Sequence, residues 1–201
     1  MLDIVAIYLL TGALAGFVSG LFGVGGAYTM SPALIIALPL QGAADAQVMH
    51  LTIGTALAVM ATTSAYVAVL RYRAGDLQLP LLFRFVPFIA AGALLGALTG
   101  DALPGLVLKI LFIGFIALTI LRGLFYRGHA AVPGGGDLVA IRGVSLWFYG
   151  TLTGFTGSLL GPGPAIIIAP WLRRHRYPMP MVSATASALA GLLGFAAAIG
   201  Y

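Results

Sequence analysis

Long apolar runs separated by short polar stretches dominate the chain from end to end. A helix needs about 20 residues to cross the hydrocarbon core at 1.5 Å per residue. Six runs reach or approach that length: about 4–22, 48–70, 81–98, 106–125, 144–160 and 181–201. Two others, about 28–38 and 165–172, are too short. The pattern predicts six membrane-spanning helices and two half-length segments, each part of a broken or re-entrant helix.

Composition supports the same class of protein. Of 201 residues, 61% are hydrophobic and only 7% charged, whereas a soluble domain carries roughly 25% charged residues. We therefore predict an all-α polytopic membrane protein, a single transmembrane domain over residues 1–201 in a lipid bilayer. The net charge of +5 comes from short clusters between apolar runs, which favours a role in topology over a nucleic-acid partner. The absence of cysteine excludes disulfides and thiolate metal sites.

The charged residues predict an orientation. If the chain changes sides of the membrane at each apolar segment, every arginine lies on one face, and Asp3, Asp45 and Asp101 lie on the other. Lys109 is the basic residue that disagrees. By the positive-inside rule the arginine face is cytoplasmic, and the N-terminus lies outside a plasma or inner membrane. The first run has no basic n-region or cleavage site, so we expect it to remain as a helix.

The sequence contains an internal repeat. Gly12–Phe17 matches Gly150–Phe155, and residues 54–58 match residues 186–190. An odd number of segments separates the copies, which predicts an inverted repeat of the kind found in secondary transporters. The predicted organisation is repeat one at about 4–126, a cytoplasmic loop at about 127–142 and a partial repeat two at about 143–201. The second repeat is incomplete, so we expect a truncated chain or a reduced family member.

Two glycine-rich interruptions occur at matching positions of the repeat, Gly23–Gly26 and Gly161–Pro164. Glycine and proline interrupt helices, and the N-terminal end of the following half-helix presents free amides and partial positive charge to an anion. Glycines can instead serve close helix packing, which we favour for the sets spaced by four, Gly12/Gly16/Gly20 and Gly92/Gly96/Gly100. Because the two interruptions recur in both copies, we favour functional breaks there.

Hydroxyl side chains on runs 48–70 and 181–201 are further candidates. Most serines and threonines in membrane helices bond carbonyls of their own helix, but Thr55 and Ser187 match across the repeat. No acid or arginine lies near the middle of a span, which disfavours a cation or proton relay. His50 is best interpreted as an interfacial residue. Three scattered histidines form no metal site, and we expect no cofactor and no enzymatic activity.

These motifs resemble a known family. Gly16-Phe17, Gly20–Gly26 and Pro32 resemble the first-helix motif of the sulfite exporter (TauE/SafE) family. Further resemblances are Gly54–Leu57, Arg73–Asp76 and the second-half copies at Gly154-Phe155, Gly161–Gly163, Pro170 and Ala186-Ser187. The resemblance implies a secondary transporter, an exporter or permease, of sulfite, sulfonate or a related organosulfur anion. The alternative is a non-transporting scaffold or truncated remnant.

The inverted repeat brings corresponding elements together near the bilayer centre, where such transporters bind their substrates. We therefore expect a small sulfur-containing anion between the two glycine breaks, with two hydroxyls as flanking donors. The expected binding residues are Gly23, Gly25, Gly26, Thr55, Gly161, Gly163 and Ser187. Self-association into a homo-oligomer is left open by the sequence.

Overall fold

The computed structural model describes residues 9–10, 12–14, 16–17, 27–42, 44–125, 143–161, 163–175 and 177–198. Regular secondary structure in this part of the chain is helical throughout, including residues 9–10, 12–14 and 16–17. The remaining helices are α1 (Ala27–Leu40), α2 (Asp45–Arg73), α3 (Leu79–Ala102), α4 (Gly105–Phe125), α5 (Gly143–Leu160), α6 (Ala165–Arg174) and α7 (Met179–Ala198).

Each of these helices coincides with one predicted apolar run; all but α6 begin one to three residues before it, and α1, α2, α3 and α6 also end beyond it. In α2 the extension takes in Arg71 and Arg73 in the last turn, because backbone hydrogen bonding continues where side chains become polar. Within the described residues, three helices are long and apolar enough to cross a membrane, at Gln47–Arg73, Leu79–Ala102 and Met179–Ala197. The prediction of an all-helical, polytopic membrane protein is confirmed.

The short segments also form helices of the expected size. Helix α1 has 14 residues and α6 has 10, so they are about 21 and 15 Å long and too short to cross the bilayer core. Trp171 anchors α6 to its neighbours through ring contacts with Phe85 of α3 at 5.7 Å and with Tyr149 of α5 at 5.2 Å. The short helix is therefore packed inside the bundle.

Helices α3 and α5 run parallel and in close contact. Gly150 faces Phe85 and Phe88, while Gly154, one turn later, faces Ile89 and Ala93. Residue numbers therefore rise together along the two helices. On α3, a Cβ at Gly92 would approach the backbone of Thr151 and Phe155, and one at Gly96 that of Phe155. The packing role predicted for Gly92 and Gly96 is confirmed. It is wrong for Gly12 and Gly16 in this structure, because nothing lies within 4 Å of their Cβ positions, and Gly20 lies outside the described residues.

Helices α2 and α7 run antiparallel. Gly194 faces Leu57 and Ala61, while Gly191, earlier in α7, faces Ser64 and Ala65 later in α2. An inverted repeat that pairs these helices requires this opposed direction. The repeat boundaries themselves fall at residues 126–142, outside the described part of the chain, so the inverted repeat stays a prediction with which the helix directions agree.

Helix α7 lies at the centre of the described bundle. It packs against α2, α3 and α6. Its side chains are buried around most of its circumference, with Val182, Leu189 and Leu193 at 1% exposure or less. Hydroxyls carried by α7 therefore face protein rather than lipid.

Candidate functional site

The link between α5 and α6 lies inside the bundle. Helix α5 ends at Leu160 and α6 begins at Ala165, and both Gly161 and Gly163 are buried. Gly161 has a φ of +88°, in the left-handed region that glycine adopts without a steric penalty. Its N–H donates to the carbonyl of Gly157 at 2.9 Å, which closes the last turn of α5. The chain therefore reverses direction at a buried, irregular backbone segment.

Helix α1 approaches this link. A Cβ added at Gly161 would lie 3.9 Å from Oγ of Ser31, and Ser31 is itself buried. Ser31 follows Gly26 by a little more than one helical turn, so the sequence just after the first glycine-rich interruption lies next to the second one. The predicted site residues Gly23, Gly25 and Gly26 lie outside the described residues.

The structure places Thr55 and Ser187 at different depths. Thr55 is exposed on α2, whereas Ser187 is buried on α7. Gly191 faces Ser64, so Ser187, one turn earlier in α7, lies level with the region of α2 beyond Ser64. At 1.5 Å per residue the two hydroxyls differ by about 20 Å along the bundle. In this conformation a single small anion contacts at most one of them.

Most threonine hydroxyls are satisfied by their own helix. Each bonds a carbonyl three or four residues earlier, the arrangement expected for hydroxyls in membrane helices. The threonines that do so are Thr62, Thr63, Thr99, Thr119, Thr153 and Thr156. For Thr62 and Thr63 this confirms the sequence-based interpretation. These side chains have little capacity left to donate to a ligand.

Three other hydroxyls behave differently. Thr52 on α2, Ser158 on α5 and Thr185 on α7 are each 0% exposed, and none has a hydrogen-bond partner within the described structure. A buried hydroxyl without a partner costs about 1–3 kcal/mol. Sequence analysis missed Ser158 altogether and grouped the two threonines with the self-bonded hydroxyls. The available signal was the position of Ser158, less than one turn before Gly161.

A cavity opens at the end of the bundle where α2 begins. Its volume is about 540 Å³ and its walls are mainly apolar. The residues that line it come from α1, α2 and the start of α4: Ile35, Pro39, Val48, Met49, Pro104, Gly105, Leu106 and Lys109. Lys109 supplies positive charge, and the amides of the first turn of α4 add to it. Lys109 is thus the charged side chain of the cavity wall, and Asp45 at the start of α2 and Asp101 at the end of α3 lie at the same end of the bundle.

Neighbouring polar groups at this end are engaged in structure. Nε2 of His50 lies 3.2 Å from the carbonyl oxygen of Gly100 and links α2 to the end of α3, in keeping with an interfacial histidine. Among the described residues, no group of three His, Cys, Asp or Glu side chains could hold a metal ion.

The loop after α2 is closed by an ion pair. Nη1 of Arg71 lies 3.2 Å from Oδ2 of Asp76, and the amide of Asp76 donates to the carbonyl of Arg71 at 3.1 Å. Gly75, between them, has a φ of +79°, which a turn this tight requires of it. The motif therefore shapes the end of α2, and its charges are partly exposed at the opposite end of the bundle from the cavity.

The chain is similar to a known protein family and to a known membrane protein. It matches the family model described as sulfite exporter TauE/SafE over residues 8–201. It is also similar to a protein of Haemophilus influenzae described as a probable membrane transporter protein, with 34% identity over 77 residues. That match covers 38% of this chain and 29% of the relative's length. No solved structure matches the chain significantly.

Proposed function

Because the chain belongs to the sulfite exporter TauE/SafE family, we propose that it is a secondary transporter, an exporter or permease, of sulfite, a sulfonate or a related small organosulfur anion. The observation that carries this proposal is the buried link at Gly161, which lies against α1. Irregular backbone at membrane depth is tolerated where it lines a site or cavity, and the start of the helix that follows it carries the partial positive charge that favours an anion.

The anion lies between the interruption at Gly161 and Gly163 and the matching one at Gly23, Gly25 and Gly26. The N–H of Gly161 is bonded to Gly157, so Gly161 offers bare backbone surface that lets the anion come close, and the N–H donors come from the other glycines. Thr55 and Ser187, which differ in depth by about 20 Å, contact the anion at successive positions along its path. The substrate crosses the membrane without chemical change.

Flux into proteoliposomes tests this function. We expect uptake of ³⁵S-labelled sulfite above protein-free vesicles, with competition by sulfonates and none by ammonium. A protein that binds no sulfur oxyanion and gives no flux would be a scaffold. Conversion of the labelled anion without a change of compartment would indicate an enzyme instead.

Two substitutions test the site. Gly25→Leu should abolish flux by filling the space between the interruptions, and Thr55→Val should raise the KM for sulfite about tenfold, the value of one hydrogen bond to a charged group. Both must remain monodisperse in detergent for the result to count. A well-folded Gly25→Leu protein that transports at the parent rate would refute the site, and an unchanged KM would remove Thr55 from it.

Orientation is tested by single-cysteine labelling, since the parent has no cysteine. We propose that the arginine-bearing ends face the cytoplasm and the N-terminus lies outside. A cysteine at position 101 should react with an impermeant maleimide added to intact cells, and a cysteine at position 73 only after permeabilisation. The reverse pattern would invert the topology.

A further inference from the structure

Thr52 and Ser158, like Thr185, lack the bond to a carbonyl of their own helix that most threonines of the described helices make. On the same helix as Ser158, Thr153 is equally buried but donates to the carbonyl of Tyr149 at 2.6 Å. Thr52 and Ser158 are 0% exposed and have no partner within the described structure. In a bilayer interior bulk water cannot take that place. Both hydroxyls can therefore donate a hydrogen bond to a polar ligand.

Ser158 lies at the buried link. It is one residue after Gly157, whose carbonyl accepts the N–H of Gly161 at 2.9 Å. Gly161 in turn lies beside Ser31 of α1. The free hydroxyl of Ser158 thus belongs to the turn that ends α5, where the backbone departs from helical geometry.

Thr52 lies at a similar depth. His50 is level with Gly100 of α3, because their side chain and carbonyl are 3.2 Å apart, and Gly96 lies against Phe155 of α5. Counting 1.5 Å per residue from these contacts places Thr52 and Ser158 within about one helical turn of each other along the bundle. Thr185, by the same count from Gly191, lies more than about 20 Å away.

The cavity lies about one helical turn from Thr52 along α2. Val48 and Met49 line it, and they precede Thr52 by four and three residues, so all three share one face of α2. Lys109 lies in the same cavity. On α2 the lining of the cavity ends with Met49, and Thr52 is buried about one turn further along the same face.

We infer that Thr52 and Ser158 are hydrogen-bond donors for the transported oxyanion next to the Gly161 link. This inference rests on the proposed function and names the groups that bind the substrate there. Neutral hydroxyls replace part of the hydration shell of a sulfite or sulfonate oxygen. Because they carry no charge, they do so without holding the anion as strongly as a buried arginine would.

The test compares Thr52→Val and Ser158→Ala with the matched control Thr153→Val, all in the full chain. Two quantities are measured: the KM for ³⁵S-sulfite flux, and the Kd for sulfite obtained from the dependence of the thermal midpoint on sulfite concentration in detergent. In each of the first two variants both constants should rise about tenfold, which is the effect of losing one hydrogen bond to a charged group. Thr153→Val should leave sulfite affinity within twofold of the parent.

Stability without sulfite separates a binding role from a structural one. Because neither hydroxyl has a partner to lose, Thr52→Val and Ser158→Ala should keep or raise the thermal midpoint of the empty protein. Unchanged sulfite affinity in both variants of a transporting parent overturns the inference while the proposed function stands. A lowered midpoint with unchanged affinity assigns the hydroxyls to structural water, which also overturns it. A parent that neither transports nor is stabilised by sulfite, sulfonate, sulfate or phosphate overturns both.

Discussion

Two helix pairs hold the described bundle together, and they are built differently. In the α3–α5 pair both helices contribute glycines, Gly92 and Gly96 on one and Gly150 and Gly154 on the other. In the α2–α7 pair the close contacts that the structure describes are those of Gly191 and Gly194, both on α7. When both partners lack Cβ atoms, backbones come close enough for extensive dispersion and Cα–H···O contacts. The α3–α5 pair is therefore the more closely packed.

The two pairs also differ in their buried hydroxyls. Facing α2, a Cβ at Gly191 would be 3.1 Å from the amide nitrogen of Ala65, so this contact has some tolerance. The α2–α7 pair also carries Thr52 and Thr185, two of the three buried hydroxyls without partners. Close glycine contacts from both partners thus distinguish the α3–α5 pair, whereas hydroxyls without partners occur on both pairs, because Ser158 lies on α5 beyond its glycine contacts.

The largest expected effect is Gly92→Leu. Its Cβ would lie 2.9 Å from the amide nitrogen of Phe155, and backbone cannot move aside as a side chain can. We expect a loss of about 3 kcal/mol or more and little monodisperse protein by size-exclusion chromatography. Gly114→Leu on α4 is the control, because nothing lies within 4 Å of its Cβ position. Equal recovery of both variants would contradict the close α3–α5 packing.

A smaller loss of stability is expected when alanine replaces the glycines of α7, and it should differ between the two positions. At Gly194 a Cβ would lie 2.8 Å from the amide nitrogen of Ala61, so Gly194→Ala should destabilise the protein by about 1–3 kcal/mol. At Gly191 the closest atom is 3.1 Å away, and the better helix propensity of alanine, up to about 1 kcal/mol, offsets the contact. Thermal midpoints should therefore fall for Gly194→Ala and change little for Gly191→Ala. The opposite order would mean that the pair is looser at Gly194.

The link at Gly161 allows strain and function to be separated. Gly161→Ala has room, since the nearest atom is 3.9 Å away, but its φ of +88° is unfavourable for alanine, by about 1–2 kcal/mol. Gly75→Ala meets the same strain at φ +79° in an open loop. Both should lower the thermal midpoint to a similar extent, but only Gly161→Ala should also reduce sulfite flux several-fold. Equal flux in the two variants would remove the link from the transport path.

The helices could be predicted from the sequence, because membrane insertion forces long apolar runs and these bound each element within a few residues. The α3 packing motif was predictable for a similar reason, since the four-residue spacing of Gly92 and Gly96 already defines one helix face. The depths of Thr55 and Ser187 in the bundle could not be predicted in this way. Residues matched across an inverted repeat are related by an axis in the membrane plane, so any pair away from that axis falls at opposite depths.

The free hydroxyls were equally inaccessible to sequence reasoning. Thr52 and Thr63 occur on the same helix, yet Thr63 donates to Val59 at 2.7 Å and Thr52 has no partner within the described structure. The difference depends on side-chain rotamer and on what packs around each residue. Neither quantity is encoded in the spacing of polar positions.

The smallest expected effect concerns the mouth of the cavity on the α2 side. Lys109 is exposed there, so its charge acts on an approaching anion through solvent and is screened over about 10 Å at 0.1 M salt. Lys109→Gln should raise the KM for sulfite about two- to threefold at low ionic strength, and the difference should vanish in high salt. Lys109→Arg, which keeps the charge, should behave like the parent. A Lys109→Gln effect that persists in high salt would show that the ammonium contacts the bound anion directly, and would add the start of α4 to the substrate-binding site.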